Sequence, residues 1–131
     1  MTAATNYAED LLLKWLLTAG AVTRPSAWYV ALHSADPGET GASSELSGNG
    51  YARVSATFSV SGTAPTEATN SGDVTFAAAT GSNWTAATHA SVWDSLTTGN
   101  CLGKGALSSS VTINVGDNLK IPAGSLDITL D

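Results

Sequence analysis

Trp28-Tyr29-Val30-Ala31-Leu32-His33 is the stretch that decides the fold. Trp28, Val30 and Leu32 alternate with Tyr29, Ala31 and His33, and a period of two marks a strand with one strongly apolar face. On that pattern Trp28 belongs in the core beside Val30 and Leu32. The chain enters this strand through Arg24-Pro25 and leaves it through Ser34 to Gly50, where Asp36-Pro37-Gly38 is a turn signal and Gly41, Gly48 and Gly50 add further punctuation. A connection of about 17 residues is long for a compact domain, so it is either mobile or an interaction element.

A second strand follows over Tyr51 to Val60, with Ala52, Val54, Ala56, Phe58 and Val60 on one face. Ser61 to Gly72 reads as a polar connection. Further short strands are expected at Val74-Phe76, His89-Asp94, Cys101-Leu107, Val111-Val115, Leu119-Ile121 and Leu126-Leu130. Thr98-Gly99-Asn100, Gly116-Asp117 and Pro122-Ala123-Gly124 supply turns between them. Short strands at this spacing indicate a mainly β fold, an antiparallel β-sandwich of jelly-roll or Ig-like type, in a single domain spanning 1–131. The sandwich occupies about 26–131, and Asp131, directly after a strand, places the C-terminus in a sheet.

Ahead of the sandwich stands one N-terminal α-helix, about 6–19. Asn6 is suited to cap it, with Glu9 three residues on in a capping-box arrangement, and Gly20 suits its end. Leu12, Leu13, Leu16 and Leu17 read as a core stripe, while Leu11 and Trp15 add apolar bulk beside it. A helix apolar on most sides wants burial on most sides. It either caps the open end of the β core or packs partly on a neighbouring subunit.

Composition excludes several function classes. The 131 residues carry 5 basic and 11 acidic side chains, a net charge of −6, with 12% charged and 43% hydrophobic residues. Ala, Ser, Thr and Gly make up about half the chain. Lys14, Arg24, Arg53, Lys104 and Lys120 are scattered, so no basic face is offered to nucleic acid. A single cysteine, Cys101, excludes an internal disulfide and a cysteine-based zinc site. No apolar run approaches the roughly 20 residues of a membrane span. Met1 to Asp10 has no basic start for a secretory signal, so synthesis is expected in the cytoplasm of the producing cell.

Catalytic chemistry finds no footing either. His33 and His89 both fall on strands, away from any nucleophile-elbow pattern, and read as half-exposed strand histidines. No catalytic residue, metal site or cofactor is expected. Asp36, Glu39 and Glu45 share one loop, but their spacing matches no calcium loop. Of the four tryptophans, Trp84 in Ser82-Asn83-Trp84-Thr85 has a polar setting and is expected at the surface, where an aromatic ring stacks on sugar or anchors an interface. The face of Trp93 is left open by its neighbours.

Several stretches together resemble a family of small tailed-phage virion proteins, of tail-fibre-like or head-decoration type. They are Asn6-Tyr7-Ala8-Glu9, Trp28-Tyr29-Val30-Ala31-Leu32, Ala35-Asp36-Pro37-Gly38-Glu39-Thr40-Gly41, Gly50-Tyr51-Ala52-Arg53, Asp73-Val74-Thr75-Phe76, Thr88-His89, Gly105-Ala106-Leu107 and Ile121-Pro122-Ala123-Gly124-Ser125-Leu126. His33 departs from the pattern, where an apolar or aromatic residue is expected. The resemblance implies a non-enzymatic structural protein of a bacteriophage virion, present in several copies and made in the host bacterial cytoplasm.

A chain with neither repeats nor a long shaft favours a capsid decoration, or cement, protein over a receptor-reaching fibre. Its expected partners are copies of itself, as a trimer, and the phage major capsid protein or tail proteins, with no nucleic acid and no membrane. Leu11, Trp15, Asp36, Glu39 and Glu45 are its expected interface residues. The alternative is a tail-fibre or baseplate adhesin module that holds a host surface glycan through Trp84. A tail-tube or connector subunit is a further alternative.

Overall fold

The computed structural model describes residues 3–62 and 66–130. In chain order the elements are β1 (Ala3–Ala4), α1 (Asn6–Leu17), β2 (Trp28–His33), β3 (Val54–Ala56), β4 (Phe58–Ser61), β5 (Thr66–Asn70), β6 (Val74–Thr75), β7 (Ala87–Trp93), β8 (Cys101–Val111), β9 (Lys120–Ile121) and β10 (Asp127–Leu130). The named strands pair antiparallel in three sheets, ordered β1-β8-β7-β2-β3, β10-β5-β4 and β6-β9. The fold is mainly β and sandwich-like with one helix.

The deciding strand lies where its pattern demands. β2 pairs with β7 on one side and β3 on the other, with Val30 opposite Val92 and Val54, and Leu32 opposite Ala90. Val30 and Leu32 point into the main core, which also holds Phe76, Trp84, Ala87, Ile113, Ile121 and Leu126. Trp28 departs from the expected burial. It is the first residue of β2, projects past the core and is 38% exposed.

The opposite face of β2 is also covered, because Ala31, Trp93 and Cys101 form a second buried cluster there. The long 34–50 connection supplies part of the lid. It is folded back on the sheet through Ser34 N–H to Ser44 O, Leu46 N–H to Leu32 O and a bridge between His33 and Glu45. Leu46 and Pro37 are buried. Gly41 sits against Cys101 and Trp93 with φ +72°. The segment expected to be mobile or an interaction element covers a sheet face of its own chain.

Two further boundaries differ from expectation. The run from Tyr51 to Val60 is not one strand: β3 belongs to the five-stranded sheet and β4 to the three-stranded sheet, with Thr57 between them. Alternation survives such a corner, so hydropathy alone does not reveal it. The expected polar connection from Ser61 to Gly72 contains β5, which pairs on both sides; its central part, 63–65, lies outside the described residues. Buried Asn70 ends β5 by donating to Gly72 O and Pro122 O and accepting from Leu126 N–H. A strand of Thr, Glu and Ala carries no apolar signature, and its pairing is set by partners distant in sequence. Cys101 to Val111 is one strand, while the Val111-Val115 expectation keeps only its first residue. Asp131 is outside the described residues.

The contact of Gly41 with the second cluster is sensitive to a single methyl. A Cβ there would fall 2.5 Å from Cys101 Cβ and 2.8 Å from Trp93 Cζ2, in a left-handed backbone conformation. Gly41→Ala is therefore expected to cost about 3 kcal/mol or more, through overpacking added to backbone strain. Chemical denaturation of the two proteins measures this directly. Gly38→Ala, which has the same φ of +72° but open space around its Cβ, is expected to cost about 1 kcal/mol.

Candidate functional site

Helix α1 is capped by Thr5, whose Oγ accepts from Ala8 N–H, and not by Asn6. Thr5 is fully buried and does more than cap. Its hydroxyl donates to Cys101 O and its N–H donates to Leu102 O, fastening the root of the helix to β8. Lys14 pairs with Asp10 on the surface.

No residue of α1 is buried. The expected core stripe is turned around: Leu13, Leu16 and Leu17 are 56%, 59% and 77% exposed. Ala8, Leu11, Leu12 and Trp15 instead face the β body across an apolar groove of about 500 Å³, closed on the far side by Val60, Ala68, Leu102 and Ile128. Trp15 stands at its edge, 63% exposed. The reason lies in the helical period. Residues 11, 12 and 15 share one side and 13, 16 and 17 another, so both flanks are apolar and only one can meet the chain's own sheet. Leu11 and Trp15, expected at an interface, are walls of this groove.

The remaining expected interface residues pair within the chain. Lys104 Nζ reaches Asp36 at 3.0 Å and Glu39 at 3.3 Å. The backbone N–H of Gly38 and the Lys104 ammonium hold the Asp36 carboxyl below its ordinary pKa. Glu45 is bound elsewhere, by Arg53, through Nε to Oε1 and Nη2 to Oε2, both at 2.8 Å. Burial alone would raise the Glu45 pKa, but the Arg53 hydrogen bonds and charge, together with the Tyr51 hydroxyl, hold it below the ordinary value. Among the described residues no three His, Cys, Asp or Glu side chains come together as a metal would require.

Arg53 is the hub of this region. Its guanidinium lies 3.8 Å from the centroid of the Trp93 ring, and Nη1 donates to Ser95 O and Thr98 O. Trp93 in turn donates from Nε1 to Ser91 Oγ at 2.7 Å, and Ser91 Oγ lies 2.7 Å from His33 Nε2. His33 Nδ1 is 2.8 Å from Ser43 O. A carbonyl only accepts, so Nδ1 carries the proton; burial, which lowers the His33 pKa, favours the neutral ring, whose Nε2 then accepts from the Ser91 hydroxyl. This explains how a histidine is buried at the end of β2: each ring nitrogen has a partner. Both His33 and Ser91 are 0% exposed, unlike the half-exposed strand histidine that alternation suggests. The Ser–His pair, at the right distance for nucleophile activation, is sealed beneath the sheet face.

Trp84 also corrects its expectation. It is only 5% exposed, its indole N–H donates to Asn49 O, its backbone N–H donates to Ile113 O, and its ring meets Tyr51 edge-on at 5.4 Å. Polar flanking residues hid a core plug, so Trp84 has no free face for a sugar. Trp93, left unassigned by sequence, is buried under Arg53.

Burial, the largest influence on His33, lowers its pKa from 6.5. The unfolded chain therefore binds a proton near pH 6.5 that the folded chain resists, and stability is fully present above that pH and declines as pH falls below it. Unfolding free energy is expected to drop between pH 7 and 5 in the wild type. In His33→Gln, itself destabilised, that difference between the two pH values shrinks. Denaturant titrations of both proteins at the two pH values test this.

A family model described as Podophage GP4 fiber I protein gp80 matches residues 3–129. No curated protein matches the chain. With nearly the whole described fold inside that match, from the β1–α1 root to β10, the chain belongs to the podophage fibre I protein gp80 family, a family of phage structural proteins.

Proposed function

We propose that this chain is a tail-fibre subunit of a podophage virion that assembles with copies of itself through α1. The observation that carries the reading is the helix with no buried residue, apolar on both flanks. Monomeric proteins seldom leave such a contiguous apolar surface in water. Each exposed leucine gains on the order of 1–2 kcal/mol when covered. The family match supports a fibre in preference to the capsid decoration expected from the chain's compactness.

The geometry also bears on symmetry. The protruding ridge of Leu13, Leu16 and Leu17 and the groove behind Leu11 and Trp15 are different surfaces on opposite sides of one helix. A ridge-into-groove contact made head to tail is heterologous, and a heterologous contact whose rotation closes builds a ring. A trimer is the smallest such ring and the stoichiometry proposed here. Neighbouring tail proteins would then meet the outside of the ring.

Sedimentation equilibrium is expected to report a trimer for the wild type and a folded monomer, with unchanged circular dichroism, for the Leu13→Glu/Leu17→Glu variant. A wild type that stays monomeric at high micromolar concentration overturns self-assembly through α1. Gold labelling of virions with an antibody to the chain is expected to mark the tail; label spread over the head would instead restore the decoration reading.

A further inference from the structure

We infer that Asn49 is a site of spontaneous covalent modification, and that its conversion loosens the seat of the Trp84 ring. Asn49-Gly50 is exposed and forms the corner of a turn closed by Tyr51 N–H to Gly48 O at 3.0 Å, with φ of +53° at Asn49 and +82° at Gly50. Positive φ at both central residues is the type I′ geometry that Asn-Gly favours. This turn is distinct from α1, and assembly through the helix does not bear on it.

The step needs only water and base. A base in solution takes the Gly50 amide proton, and the nitrogen attacks Cγ of Asn49. An N–Cγ bond forms, the Cγ–Nδ2 bond breaks, and ammonia leaves. Water then opens the cyclic imide at either carbonyl. One opening gives aspartate; the other gives isoaspartate, with the main chain rerouted through Cγ.

The surroundings favour this step at Asn49. Gly50 has no Cβ to hinder the approach, and a Cβ there would fall 2.9 Å from Thr80 Oγ1 and 3.2 Å from Ala78 O at a positive φ, so the position requires glycine. Neither the Asn49 side-chain amide nor the Gly50 N–H has a hydrogen-bond partner among the described residues, so no such bond holds the reacting groups apart. The Asn49 carbonyl accepts from Thr80 N–H and Trp84 Nε1, both at 2.8 Å. Two donors on one oxygen draw electron density from the Asn49–Gly50 peptide and acidify its N–H. Every other asparagine precedes a residue with a side chain. Asn70, before Ser71, is also buried, with its amide donating to Gly72 O and Pro122 O and accepting from Leu126 N–H.

The same carbonyl ties the reaction to the core. In isoaspartate the oxygen that Thr80 and Trp84 share belongs to a free carboxylate, and the path from Gly48 O to Tyr51 N–H is lengthened by a methylene. The Tyr51 ring, which meets Trp84 edge-on at 5.4 Å and stacks on Phe76, shifts with the turn. Trp84 then keeps its backbone bond to Ile113 O but loses the fixed acceptor of its indole.

The full chain is aged in mildly alkaline buffer and compared with fresh protein by peptide mapping and by NMR exchange of the Trp84 indole N–H. Conversion of amide to acid is expected to concentrate at Asn49, with isoaspartate among the products. The converted fraction is expected to exchange its Trp84 indole proton severalfold faster than fresh protein. Asn49→Gly, which suits the same φ, is expected to keep the circular dichroism of the wild type and to age without change at Trp84. Asn49 left intact over weeks of ageing, amide loss spread evenly over the other asparagines, or a converted chain whose Trp84 proton exchanges as in fresh protein overturns the inference.

Discussion

Arg53 held between Glu45 and the face of Trp93 is the interaction on which the arrangement depends. Its guanidinium joins two stretches of the chain: the 34–50 connection through Glu45, and the end of β7 with the turn after it through the Trp93 ring and the carbonyls of Ser95 and Thr98. Only a planar group with a fork of donors satisfies a carboxylate, two carbonyls and a ring face at once, and a lysine does not. With its side chain only 7% exposed, the pair is shielded from the screening that weakens surface ion pairs. Beneath it, the Trp93–Ser91–His33–Ser43 chain of hydrogen bonds continues the order into the sheet. Among the described residues, no buried side-chain nitrogen or oxygen lacks a partner.

What was legible in the sequence follows from which interactions are local. β2 announces itself because its apolar residues recur at period two, while β7 and the first part of β8 stand as short segments bounded by turn residues. The helix is legible because capping and periodicity are local properties, although it ends at Leu17, two residues before the expected 19, and its cap is Thr5, one position before Asn6. β5 and the corner at Thr57 are not legible, since both are fixed by partners remote in sequence. Trp84 shows the same limit at one residue: Ser, Asn and Thr around it describe a surface turn, yet Asn49 and Tyr51 draw its ring inward.

The interface residues divide along the same line. An excess of apolar bulk on α1 is visible in composition, and the structure leaves that excess uncovered. Which flank faces the body is not visible, because both are leucine-rich and the choice is made by Leu102, Ile128 and Val60 across the groove. The acids of the long connection look available for a neighbour, whereas Arg53, eight residues past Glu45, and Lys104, far along the chain, claim them.

The fastening of α1 has a mechanical meaning. Thr5 grips β8 at one end of the helix, while the other end runs out through Leu17 into an exposed segment with no buried contact of its own. Such an element is a cantilever: clamped at the root, free at the tip, and stiff along its 12 residues. Torque applied at the tip is delivered to the Cys101–Leu102 backbone and not to the core around Phe76. In the assembly proposed above, subunits meeting through this lever would differ in tilt while every β body keeps one shape. Compliance is thereby confined to a single joint.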